Sequence, residues 1–468
     1  MALESVGSHM RAWSRAPAAS SPRGAGATLG VLVMASVSVA SAQPPTEKSR
    51  AHDAFTDSDV LPIPDRATDG QPFAPGSVPP FRQERPRYTL VDLHAHAFMD
   101  RGLGLLFDGD FRTPLRSTDW SDLFSSQINA DTLEASGLGL IVVSLYAHPV
   151  FAPARQQSIR RQIEDAHEFV RTHRDWVIAR NPQEARSAHA RGQRVMLLSL
   201  EGASGILDTE EDIEEFVDRD GISIVTFAHL ADDKLTGALL LPSFGGLGNP
   251  RGLVSALVEP KHGNDGARQN PHGLTPYGRW IASRLIAHHV WIDLAHASEV
   301  ATLELMAMML EAGEPLLYTH MGLHDDAHGA PITDALIRLV GGSGGIVGLI
   351  PGESITGATR VPASLCPATC NGRCKGGVYA LAAQFDEVAR AIGDDHTFLG
   401  TDFNGAQVHL PPNRSCPTGT TLDEQGLYNI SQTAELWEAL GSTSAHSKAN
   451  QEHGVENFLA AWEKAYGH

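Results

Sequence analysis

The chain carries 22 histidines in 468 residues, and a few of them stand where chemistry can be done. Asp92-Leu93-His94-Ala95-His96 places two imidazoles at positions i and i+2. Alternate side chains of a strand share a face, so His94 and His96 point the same way. Two imidazoles so placed can bind one metal ion. His296 and His320 close two further apolar runs and could hold a second ion. Glu201 ends another run, and a carboxylate between the two pairs can bridge both ions. Two ions ~3.5–4 Å apart suit hydrolysis by a metal-bridging hydroxide. Zinc, at two ions per chain, is the natural metal for a histidine-rich site with a carboxylate. Asp402 ends the last run. There it can ligate a metal, or take the proton of the bridging water and pass it to the leaving group. His229 is not needed as a ligand and could polarise a scissile carbonyl. His148 is read as a hydrogen-bonding group, with substrate contact as the functional alternative. His167, His173, His189 and His446 fall in helical or loop stretches and are read as surface residues.

Eight short apolar runs must position these groups. They are Tyr88–His96, Leu138–His148, Arg194–Glu201, Ile222–His229, Val290–His296, Pro315–His320, Gly345–Ile350 and His396–Asp402. Near-continuous apolar runs rich in Val, Ile and Leu fit parallel strands covered on both faces. Helical spacing lies between them, in Ser158–Arg171, Asp212–Val217, Pro276–His288 and Ala301–Glu311. Thr275-Pro276 supplies an N-cap and an N1 proline. Strand and helix alternating eight times predict an α/β fold, a (β/α)8 TIM-type barrel, with an open doubly wound sheet as the alternative. Only the seventh strand ends without a chemical group. Long stretches, about Leu230–Gly273, Pro351–Gly377 and Phe403–Gly426, each follow a strand. As βα-loop insertions they belong on the C-terminal face, where barrels build their sites.

The remaining features bound the class. The chain is 42% hydrophobic and 19% charged, enough for a large core and too little charge for a disordered chain. A net charge of −19 with no basic cluster excludes a nucleic-acid or polybasic membrane footprint. Residues 1–42 read as a signal peptide, with Arg11, Arg15 and Arg23 ahead of an apolar run and Ala40-Ser41-Ala42 as the cleavage site. Gly7-Ser8-His9-Met10 resembles a vector scar. Residues 43–86 read as a Pro-rich flexible stalk and 87–468 as one barrel domain. The expectation is export, to a periplasm or the medium, with no stable membrane span after cleavage. Cys366, Cys370, Cys374 and Cys416 read as two disulfides of open connectivity, with a small structural metal site as the alternative. Gly341-Gly342-Ser343-Gly344-Gly345 matches G-x-S-x-G, but it precedes a strand and so reads as a turn, not a nucleophile elbow.

The motifs resemble those of the membrane (renal) dipeptidases, metallopeptidase family M19, among the amidohydrolase-like barrels. Asp92-Leu93-His94-Ala95-His96 is similar to the family's D-x-H-x-D, and Leu200-Glu201-Gly202 resembles its bridging glutamate. Gly273-Leu274-Thr275-Pro276-Tyr277-Gly278-Arg279 leads into Ile292-Asp293-Leu294-Ala295-His296-Ala297-Ser298, which looks like I-D-L-S-H-x-S. Thr319-His320 resembles S-H, and Gly400-Thr401-Asp402-Phe403-Asn404-Gly405 resembles G-x-D-F-D-G. The resemblance implies zinc ligands at His94, His96, Glu201, His296 and His320, a carbonyl partner at His229 and a proton shuttle at Asp402. It implies a binuclear zinc hydrolase of dipeptides or related small amides and esters, which the signal-like segment makes an exported one; a homodimer is a further partner to consider. This chain departs from the pattern three times, the long βα-loops being one departure that the family does not share. His96 replaces an aspartate, which raises the site's charge by one. The family's carboxylate-gripping arginine is missing, since Met321–Ala330 holds no Arg or Lys. The missing arginine and the long loops open the alternatives of a lactonase, an N-acyl amino acid hydrolase or a phosphotriester hydrolase. A non-catalytic exported metal-binding barrel is a third reading.

Overall fold

The computed structural model describes residues 88–99, 126–148, 154–240, 249–258, 261–262, 268–323, 334–356, 359, 361–367, 370, 374–405 and 408–467. The signal-like segment and the stalk lie outside the described residues. The strands are β1 (Leu90–Ala95), β2 (Leu138–Tyr146), β3 (Trp176–Ile178), β4 (Arg194–Glu201), β5 (Ile222–Thr226), β6 (Lys261–His262), β7 (Arg268–Gln269), β8 (Trp291–Asp293), β9 (Leu317–Met321), β10 (Ile346–Leu349) and β11 (Thr397–Leu399). Eight pair in parallel in the order β2-β1-β11-β10-β9-β8-β5-β4. The ring closes where β2 pairs with β4, from Leu140↔Val195 to Tyr146↔Glu201. The fold is therefore the closed (β/α)8 barrel and not the open sheet. Every residue of β2 and β4 is buried, as strands covered on both faces require.

β3 was not foreseen. It pairs with Arg194–Met196, the lower part of one edge of β4, while β5 takes Leu198–Glu201 above it. Three residues are too few to carry a period-2 signal. The Leu230–Gly273 stretch is also less irregular than expected. It contains the helix Pro250–Val258 and the antiparallel ribbon β6–β7.

The helices start where local chemistry allows. The Thr275 side chain accepts from Gly278 N at 3.0 Å and Pro276 opens Pro276–Ala287. Ser298 caps Glu299–Glu311 and Asn181 caps Pro182–Ala190 in the same way. His189 is 3% exposed, so it is a core residue of that last helix and not a surface one. Arg155–Thr172 buries Ile159, Ile163, Ala166 and Phe169 along one face. The stretch Glu210–Arg219 winds as one α-helical turn followed by π-helix. Ser343 ends the helix Asp334–Ser343, and its hydroxyl accepts from Leu316 N and donates to the Val340 carbonyl. Its glycine-rich neighbourhood is thus a helix end feeding β10, as expected of a turn. No described helix is long and apolar enough to cross a membrane.

Beneath the barrel, buried Arg194 opens β4. Its guanidinium donates to the carbonyls of Leu138, Leu133 and Glu134 at 2.7–3.1 Å and lies 4.0 Å from the Trp176 ring centroid. A buried cation is tolerated here because its donors are satisfied by backbone oxygens. Above the barrel, Cys374 and Cys416 form a disulfide that ties the loop after β10 to the loop after β11. The second expected bridge is not formed. Cys366 and Cys370 pack against the same small cluster, and the Cys370 thiol donates to the Ser415 carbonyl at 3.2 Å.

Two predictions follow from this framework. Peptide mapping without reductant should recover Cys374 linked to Cys416. The double variant Cys374→Ser/Cys416→Ser should lose about 2–4 kcal/mol, since the closed loop spans 42 residues. Recovery of Cys366 bound to Cys416 would contradict the assignment. The second concerns Glu314, which is 3% exposed and has one carboxylate oxygen with no partner among the described residues. Burial pushes its carboxyl up to about 8. The folded state then keeps a proton that the unfolded state has released, so stability falls as pH rises from about 4.5 to about 8. Glu314→Gln should gain on the wild type between pH 5 and pH 8 in denaturant unfolding. A constant difference across that range would contradict the reading.

Candidate metal centre

The mouth of the barrel is built from strand ends. His94 lies inside β1 and His96 just past it, and their Nε2 atoms are 3.3 Å apart. The i, i+2 spacing therefore aims both rings at one point. His320 sits inside β9 and His296 three residues beyond β8, with Nε2 atoms 2.8 Å apart. Glu201, the last residue of β4, stands between the pairs. Its Oε1 is 3.1 Å from His296 Nε2, 3.5 Å from His94 Nε2 and 3.7 Å from His320 Nε2. Its Oε2 faces His96 at 3.4 Å and His229 at 3.6 Å. Asp402 Oδ1 lies 3.2 Å from His96 Nε2 and 3.8 Å from His94 Nε2.

Seven residues singled out in the sequence thus converge. Three overlapping groups could hold a metal ion: His94, Glu201 and His320; His94, His96 and Asp402; Glu201, His229 and His296. His94 belongs to two of them and Glu201 to two, so the halves of the site lie close enough to share ligand candidates. His148 stands apart. Its ring lies edge-on to Tyr146 at 6.2 Å, half-buried beside the cluster.

The centre is buried at its base and more exposed at one edge. His94 and Glu201 are 0% and 1% exposed, whereas the side chains of His229 and His296 are 19% and 16% exposed. Burial and the neighbouring His320 hold His94 well below the usual imidazole range. Burial also lowers His320, helped by His296. Burial opposes the charged form of His96, but its contact with Asp402 and the charge of Glu201 raise it overall. Glu201 is driven well below the carboxylate range by the surrounding rings, against the pull of burial. Asp402 is held at about 2, burial being outweighed by His96 and then His320. His229 is lowered to about 3 by burial, so it is neutral at ordinary pH.

A polar layer lies behind the rings. His96 Nδ1 meets the Ser144 carbonyl at 3.1 Å. The Thr319 hydroxyl lies 3.2 Å from His94 Nδ1 and 2.9 Å from His320 Nδ1. Asp293 accepts from the hydroxyls of Thr226 and Thr319, both at 2.6 Å, and from Thr319 N at 2.9 Å. Asp92 accepts from the Thr401 hydroxyl at 2.6 Å and Thr401 N at 2.9 Å. These partners were not foreseen, although Asp92, Asp293 and Thr319 stand inside the motifs quoted above. Alternation showed which face they share but not what they touch. Tyr146 was missed as well. Its ring lies 4.4 Å from that of His229, and its buried hydroxyl has no partner among the described residues.

Backbone strain accompanies the site. His296 and Asp402 have φ of 62° and 55°, in the left-handed region that side chains disfavour. Asp402 is held there by its N–H on the His94 carbonyl at 2.8 Å, and His96 N returns a bond to the Phe403 carbonyl at 2.9 Å. Gly348 and Gly400 flank the Thr319 carbonyl so closely that a Cβ at either would run into it.

The donor set fits metal ions. Three of the four paired rings have Nδ1 already engaged, and their Nε2 atoms turn toward one another and toward a carboxylate. Cations resolve that crowding, and the deprotonated glutamate beside His94, His229 and His320, which burial keeps neutral, suits metal binding. The carboxylates facing His96 and His296 favour charged forms, against which a metal would compete.

Comparison with known proteins places this geometry in a family. A profile of the membrane dipeptidases, peptidase family M19, matches residues 86–466. Among solved structures, the dipeptidase AC, a metallopeptidase of family M19, superposes with a TM-score of 0.59 at 17% identity, covering 82% of this chain and 100% of that one. A metallopeptidase from Rhodobacter sphaeroides, liganded with a phosphinate mimic of the dipeptide L-Ala-D-Ala, gives 0.58 at 16% identity over 81% of this chain and 100% of that one. The probable dipeptidase PvdM from Pseudomonas aeruginosa gives 0.56 at 16% identity, over 81% and 96%. These likenesses share the fold, and the profile covers nearly all of the barrel. The chain belongs to the membrane dipeptidase family, peptidase family M19, and is a metal-dependent hydrolase.

Proposed function

We propose that the chain is an exported binuclear zinc hydrolase that cleaves dipeptides or related small amides. The observation that carries this reading is the convergence of four imidazole Nε2 atoms on the Glu201 carboxylate at the barrel mouth. His94 and His96 would hold one ion and His296 and His320 the other, with Glu201 across both. Zinc bound there would act as a Lewis acid and bring the pKa of water to ~7.

The chain's own residues supply the rest. His229 is neutral and partly exposed, so its ring can donate a hydrogen bond to the oxygen of a substrate carbonyl. Asp402 is ionised and can accept a proton at Oδ1, then release it to the departing amine. The left-handed backbone at Asp402, held by its N–H on the His94 carbonyl, carries a carboxylate whose Oδ1 lies 3.2 Å from His96 Nε2. The buried base of the site excludes bulk water from the reacting centre.

A second reading has its own support. Met321–Ala330 carries no Arg or Lys, so the family's cation for a free carboxylate is missing. Arg155 does not replace it, because its guanidinium is turned onto the carbonyls of Ala147, Gly202 and Ser204. A substrate without a free C-terminal carboxylate, such as a lactone or an acyl amide, needs no such cation.

The zinc-loaded protein should be assayed side by side on L,L- and L,D-dipeptides, N-acyl amino acids and lactones. Turnover of dipeptides supports the first reading, and turnover of lactones with none on dipeptides overturns it. Asp402→Asn should keep its metal and lose ~10²–10⁴-fold in kcat. Unchanged kcat in that variant would contradict the shuttle role.

A further inference from the structure

Three features of the centre meet at one hydroxyl. The Thr319 Oγ1 lies 2.6 Å from Asp293 Oδ2, 3.2 Å from His94 Nδ1 and 2.9 Å from His320 Nδ1. Thr319 and Asp293 are both 0% exposed, so water does not compete for these bonds. A hydroxyl has one hydrogen to give and two lone pairs to offer. Asp293 is an acceptor for four donors, the hydroxyls of Thr226 and Thr319 and the N–H groups of Thr319 and Ala295. The Thr319 hydrogen is therefore committed to Asp293. What remains at the oxygen are two lone pairs, and two imidazole Nδ1 atoms face them.

We propose that Thr319, oriented by Asp293, is the positioning residue that sets the tautomer and ring direction of His94 and His320 together. Each ring must then carry its proton on Nδ1, which leaves its Nε2 lone pair for metal. The two rings belong to different strands, β1 and β9, and to the two different histidine pairs. Their centroids are 3.8 Å apart, so one hydroxyl at the back edge reaches both. Gly348 and Gly400 carry no Cβ where the Thr319 carbonyl approaches, which lets the backbone at Thr319 sit this close to its neighbours. His96 receives the same instruction from a different source, the Ser144 carbonyl. Thr319 differs in joining both halves of the centre.

This inference rests on the proposed metal ligation by His94 and His320, and the test separates the two. Zinc affinity is measured by chelator competition on the full chain for wild type, Thr319→Val, Thr319→Ser and His94→Ala. Thr319→Val keeps the shape and loses the hydroxyl. It should bind zinc ~10–100-fold more weakly, while Thr319→Ser stays near wild type. Nitrogen NMR of the metal-free wild type should show His94 and His320 protonated on Nδ1. Tight zinc binding by Thr319→Val, or rings protonated on Nε2 in the wild type, overturns the positioning role. If His94→Ala also binds zinc like wild type, the ligand assignment itself fails. The NMR measurement needs no variant, so it decides the matter even if Thr319→Val does not fold.

Discussion

The structure depends on one electrostatic constraint. A buried glutamate faces five imidazoles, four of them within 3.6 Å of one of its oxygens. Burial pushes His94, His229 and His320 toward the neutral form, while the facing carboxylates raise only His96 and His296. The rings therefore compensate the negative charge only in part. Cations at the centre complete the compensation. The donor set therefore carries more information than any single residue in it.

Everything around the centre serves to hold those groups against their own repulsion. The closed parallel barrel brings the ends of β1, β4 and β9 to one face, and the strands themselves are rigid because they are buried on both sides. His296 and Asp402 reach the site through left-handed backbone just beyond their strands. That conformation costs about 1–3 kcal/mol at each position and persists only where the surroundings enforce it. For Asp402 the enforcing contacts are its own N–H on His94 and the return bond from His96 to Phe403. The Cys374–Cys416 bridge ties together the loops above β10 and β11, and Asp402 stands near the start of the second.

Much of this could be read from the sequence. The eight barrel strands were legible because buried parallel strands are continuous apolar runs, and each of the functional runs ends in a polar group. The i, i+2 pair at His94 and His96 was legible because strand periodicity is strict. The family was legible from blocks such as Ile292–Ser298 and Gly400–Gly405. Three-residue β3 was not, since it gives no period. Nor was the polar layer of Asp92, Asp293 and Thr319, because pairing a hydroxyl with rings from strands 225 residues apart is a tertiary fact. The even cysteine count suggested two bridges. The fold brings Cys374 to Cys416 and does not join Cys366 to Cys370. His189 looked like a surface residue because helical spacing alone does not say which face is covered.

The central claim is that the Glu201 cluster is a two-ion centre. Equilibrium dialysis against zinc, followed by elemental analysis, measures this directly on wild type and Glu201→Gln. The account predicts two zinc ions per wild-type chain and a marked loss in the variant, whose amide bridges poorly. Two tightly held ions in Glu201→Gln, or fewer than one in the wild type, would contradict it.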